Sequence, residues 1–138
     1  MLGEFILVDD LKANELLVEA APYESRTSQT WRQLNEFHFE SLWGVISDQP
    51  NAISTGHLKV LSAEDGEVWL IVFSNDYRDL LANFDHRDIN STSSKWFQTD
   101  GFKWGWSEKD VISLFESVCS LAKNAKQKDQ SLVYWGRL

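Results

Sequence analysis

Six consecutive apolar residues, Val68-Trp69-Leu70-Ile71-Val72-Phe73, leave this chain few ways to fold. As a strand, the run is apolar on both sides of its pleat. It must then be covered on both faces, which places it centrally in its sheet. Just before it stands Asp65-Gly66, a strong tight-turn dipeptide, and before that the strand-like His57–Ser62. The sequence therefore predicts a hairpin of His57–Ser62 and Glu67–Ser74, joined by Ala63-Glu64-Asp65-Gly66.

Other elements arrange themselves around this hairpin. Glu4–Val8 and Glu15–Ala20 read as short strands, with Asp9, Asp10, Lys12 and Asn14 as the link and Pro22 as the stop. Trp31, Leu34, Leu42 and Ile46 fit one helical face, and Thr30–Gln33 has capping-box spacing, so a helix is predicted from Trp31 through about Trp43. Phe37–Val45 also alternates, which leaves a strand open there. Asp48–Gly56 reads as a polar loop. Tyr77, Leu80, Leu81 and Phe84 suit a helical turn. Asn90-Ser91-Thr92-Ser93-Ser94 reads as a second polar loop, and Phe102–Trp106 as a strand with Phe102, Trp104 and Trp106 on one face. The clearest helix follows. Ser107 is its expected N-cap, with Asp110 at capping-box spacing. Val111, Phe115, Val118 and Ala122 form its core stripe. Leu132–Trp135 is a final strand. The predicted class is α+β, a twisted antiparallel sheet of four to six strands packed against one or two helices. Residues 1–138 read as one globular domain.

Length and composition agree with that class. A chain of 138 residues buries about two thirds of its unfolded surface, enough for a core without covalent staples. One cysteine, Cys119, excludes an internal disulfide framework and suits a reducing compartment. There is no basic-then-apolar leader pattern, and the apolar runs fall far short of the ~20 residues that span a bilayer. A cytoplasmic protein with no membrane partner is expected. The net charge is −8, running from −6 over residues 1–50 to +2 over residues 111–138. Nucleic-acid binding needs a basic surface to displace counterions from phosphate, and only Lys123, Lys126 and Lys128 cluster, so no nucleic-acid partner is expected. An acidic body favours a basic partner.

No catalytic or metal pattern stands out, and neither a cofactor nor an enzymatic activity is expected. His38, His57 and His86 lie too far apart for a zinc motif. Cys119 falls within the amphipathic helix and reads as a buried thiol rather than a nucleophile. Asp85-His86-Arg87-Asp88 would suit a base with its orienting acid, but in a polar segment it reads more simply as a solvated turn. More suggestive is the irregular stretch Tyr77–Asp100, with Asp76 beside it. Asp76, Asp79, Asp85, Asp88 and Asp100 are short acids that hold charge close to the backbone. Trp96 is of the type enriched as an interface anchor. These six residues form the expected partner-binding surface. Arg78 and Arg87 weigh against it, since either would neutralise a neighbouring acid.

The Trp-led segment (Trp31, Leu34), the apolar hairpin, and Gly101-Phe102-Lys103 running through Trp106 into Ser107, Val111 and Phe115 together resemble the immunity proteins of bacterial contact-dependent growth inhibition. The likeness lies in the spacing of apolar and aromatic positions over about residues 28–122. It implies a small protein that blocks a cognate toxin domain, often a nuclease, by covering its active site. It assigns no individual residue. Two other functions remain open: a structural or assembly subunit, which would self-associate, and a carbohydrate- or small-ligand-binding domain, which would show a cleft with a solvent-facing Trp. The sequence leaves the oligomeric state unknown.

Overall fold

Five antiparallel strands pair in the order β2-β1-β5-β4-β3, from β1 (Leu2–Val8), β2 (Trp31–Arg32), β3 (Leu58–Ala63), β4 (Val68–Phe73) and β5 (Ser131–Arg137). Among the described residues four helices join them: α1 (Glu36–Ile46), α2 (Asn75–Ala82), α3 (Ile89–Phe97) and α4 (Glu108–Gln127). The structure is a computed structural model that describes residues 2–9, 29–47, 56–63, 66–102 and 105–138. The expected α+β architecture is present, with a helical layer larger than the one or two helices anticipated.

The pleat explains the two-sided burial. Phe5, Ile71, Phe73, Leu132 and Tyr134 point toward the helices and join their apolar faces. Their neighbours Ile6, Leu70, Val133 and Trp135 point to the opposite face and form a second buried cluster. Each fully buried side chain of this size contributes about 1.5–3 kcal/mol of burial energy. The apolar hexapeptide is an interior strand, as expected, but β5 holds the middle position and is buried from Ser131 to Gly136. Trp69 pairs with Gly136, and its indole lies so close that a Cβ there would come within 2.3 Å of it. A strand glycine is what admits the ring.

α4 follows its sequence signals. The Ser107 side chain accepts from the Asp110 N–H at 3.1 Å, and the Asp110 carboxylate accepts from the Ser107 N–H at 3.2 Å. Val111, Phe115, Val118 and Ala122 are all buried. Cys119 is buried beside them, and burial pushes its thiol up to about 12.

Three expectations are corrected. The first helix starts at Glu36, capped by Asn35 instead of Thr30, because Trp31 pairs with Gly3 as a short edge strand. Residues 90–94 are helical, not a loop. Local propensity is poor there, but Ile89, Ser93 and Trp96 share one buried face. Phe102 closes a 3-10 turn instead of opening a strand, and Gly105 lies in a turn with φ +78. The strand expected at Glu15–Ala20 lies outside the described residues, as do most of the link before it and most of the Asp48–Gly56 loop.

Candidate functional site

The acidic stretch is built from two short helices and two 3-10 turns, with its carboxylates set by caps and ion pairs. Ser74 caps α2 by accepting from the Tyr77 N–H at 3.1 Å, which leaves exposed Asp76 in the first turn, where the helix dipole favours an acid. Arg78 is buried. Its guanidinium donates to Asp79 at 2.9 Å and to the Gln130 carbonyl at 2.9 Å, tying α2 to the start of β5. Asp85 caps the turn His86–Asp88 by accepting from the Arg87 N–H at 3.0 Å. The Arg87 guanidinium closes on the same carboxylate at 2.8 Å and holds it below the usual carboxylate range. Asp88 and Asp100 are exposed at opposite ends of α3.

The six expected binding residues therefore separate. Asp76, Asp85, Asp88 and Asp100 are at the surface, and Asp79 is half-buried against Arg78. Trp96 is 0% exposed, so the expectation of an exposed anchor is corrected. Its indole N–H donates to the His38 carbonyl at 2.8 Å, and its ring meets Phe102 edge-on at 5.0 Å. A buried indole with its N–H satisfied is a core residue. In the Asp85-His86 string, Asp85 is paired with Arg87 and His86 is exposed.

Two features lay beyond the sequence reasoning. Phe37 is 62% exposed, a large aromatic left on the surface. It sits in the first turn of α1, which docks on the Asp100–Phe102 turn through His38. His38 Nδ1 accepts from the Asn35 N–H at 3.1 Å, so Nε2 carries the proton and donates to the Gly101 carbonyl at 2.7 Å. That bond sets Phe37 and Asp100 on adjoining segments. A Cβ at Gly101 would stand 2.7 Å from the His38 ring, which explains a glycine there. Burial pulls His38 below its ordinary value, against the backbone hydrogen bonds to Gly101 and Asn35. An Asn cap answered three residues later by His is the signal that the search for Glu or Gln at that spacing passes over.

The second feature is a cleft of about 380 Å³, with Thr30, Trp31, Arg32 and Gln33 on one side and Gly105, Trp106 and Asp110 on the other. Trp31 and Trp106 stack at 6.2 Å, and Phe102 meets Trp106 edge-on at 5.2 Å. Trp106 is half-buried at this cleft and Trp31 is buried. Elsewhere, the Ser74 hydroxyl lies 3.4 Å from His57 Nδ1 while capping α2, a long contact beside a Trp43–His57 stack at 3.8 Å. No group of three or more His, Cys, Asp or Glu among the described residues is placed to hold a metal ion. No helix among them is long and apolar enough to cross a membrane.

No protein-family model, no curated protein and no solved structure matches this chain.

Proposed function

We propose that this chain is a non-enzymatic binding protein that neutralises a basic protein partner, in the manner of a bacterial immunity protein acting on a cognate toxin domain in the cytoplasm. One observation carries the reading. Between residues 75 and 100 the acids Asp76, Asp85, Asp88 and Asp100 stay at the surface, while Arg78 is withdrawn into the core and Arg87 is engaged by Asp85. Arg87 and Lys95 are exposed on the same stretch, so four exposed acids stand against two exposed bases and the surface keeps a net negative charge. With Trp96 buried, exposed Phe37 beside the Asp100 turn takes the anchor role, since large aromatics at a surface supply most of the energy of an interface.

The chemistry of such a partner follows. A nuclease centre is basic because it holds phosphate, so it attracts carboxylates, and complementary charge accelerates encounter. The same acidic surface repels nucleic acid itself. The test uses the product of the reading frame directly upstream, where a toxin's neutraliser would be paired with its target. Association should slow as salt rises, because exposed charges are screened beyond about 8 Å at physiological ionic strength. Phe37→Ala should chiefly speed dissociation, and Asp88→Lys with Asp100→Lys should slow association. No binding to that product, or binding indifferent to salt and to all three changes, would refute the reading.

A further inference from the structure

The two edges of the sheet are unlike. β2 ends one side with two residues, too short to template another strand. β3 ends the other with six residues in continuous register against β4, from Leu58↔Phe73 to Ala63↔Val68. It contains no proline and one charge, Lys59. Among the described residues no segment pairs with its outer side. Half of its backbone N–H and C=O groups therefore face away from β4. Val60, at its middle, is 45% exposed, and Lys59 and Ser62 are exposed beside it.

We infer that β3 is a self-association edge, on which a second copy of this chain adds its own β3 antiparallel across a two-fold axis at Val60. The axis must stand normal to the joined sheet, so each position pairs with one of the same pleat parity. Centred on Val60, the pairing sets Val60 against its own symmetry mate, Lys59 against Leu61 and Leu58 against Ser62. Both exposed valines are covered, and no like charges stand opposite each other. The helical layers of the two copies then lie on the same side of a ten-stranded sheet. A basic peptide is a poorer occupant, because Lys59 is the strand's one charge and would repel it. The inference stands independently of the proposed toxin neutralisation, and salt separates the two. The −8 charge of each copy opposes pairing, so raising salt tightens the dimer while it weakens association with a basic partner.

Sedimentation across a concentration series should show reversible dimerisation. Val60→Lys, which sets two ammonium groups face to face, should weaken it by about tenfold or more, with the thermal midpoint unchanged at concentrations where the parent chain is monomeric, because the site is exposed. Single cysteines fix the register. Val60→Cys should crosslink with a short bis-maleimide, since directly opposed Cβ atoms lie about 4.5–5.5 Å apart. Ser62→Cys should not, because the two copies of position 62 stand four residues apart along the strand, about 13 Å. Buried Cys119 should leave the parent chain uncrosslinked. A parent chain monomeric up to millimolar concentration would overturn the inference. So would a dimer indifferent to Val60→Lys, or equal crosslinking by both cysteine variants.

Discussion

α3 and α4 lie side by side on one face of the sheet, yet they are helices for different reasons. α4 has twenty residues, a reciprocal cap at Ser107 and Asp110, and an apolar stripe that holds its phase from Val111 to Ala125. α3 has nine residues, of which four are Ser or Thr and one is Asn, and Asp88 makes no side-chain cap bond to it. A helix that short and that polar is marginal in isolation. It is held by Trp96, which reaches through the core to the His38 carbonyl and packs on Phe115 of α4 at 6.0 Å. One helix is specified locally, the other by a single tertiary insertion.

Removing that insertion should have the largest effect on the difference. Trp96→Ala should cost about 3–5 kcal/mol, the usual range for emptying a large aromatic site. The His38 carbonyl would lose its partner as well. Hydrogen exchange should show α3 amides losing protection before those of α4. Uniform loss across both helices would mean that α3 is not the weaker unit.

His38 is the other half of the same tie, joining α1 to the Asp100–Phe102 turn that follows α3. His38→Phe removes the bond to Gly101 and the reciprocal contact with the Asn35 N–H, and should cost about 1–3 kcal/mol. Its pH signature has a defined sign. Burial keeps His38 neutral in the folded state, while the unfolded chain takes up a proton near the ordinary value of about 6.5. Stability should therefore fall as pH drops below that value and level off below the folded pKa. Melts of His38→Phe should lack this step. A step of equal size in the variant would assign it to another group.

At α4 a smaller loss is expected, because the cap is one contribution among many. Ser107→Ala should lower stability by about 0.5–2 kcal/mol, read from thermal melts, and leave α3 unaffected. The contrast also marks what the sequence could disclose. The β3–β4 hairpin, α4 and β5 each carry their own pattern: a tight-turn dipeptide, a capping box, a run at strand or helix period. α3 carries none, since its buried apolar residues Ile89 and Trp96 stand seven apart among hydroxyls. Only the pocket formed by His38, Phe102 and Phe115 makes that spacing meaningful. The candidate surface was half legible for the same reason. Acids at 76, 85, 88 and 100 announce themselves by type. Whether Trp96 is inside and Phe37 outside depends on where α1 docks.

The smallest expected change in stability lies at Arg87, and it bears on function. Arg87 is exposed, its guanidinium sits on Asp85, and an exposed ion pair is weakly stabilising once water screens it. Arg87→Ala should leave the thermal midpoint within error, whereas the same truncation at Arg78 would open a buried tie to the Gln130 carbonyl. The charge of the surface does change. Asp85 loses the neighbour that neutralises it, and the acidic run from Asp76 to Asp100 gains one net negative charge. If that run steers a basic partner, Arg87→Ala should raise the association rate at low salt. The gain should vanish at high salt, with dissociation unchanged. An unchanged association rate would place the steering charge elsewhere on the molecule, even if Phe37 proved to be the anchor.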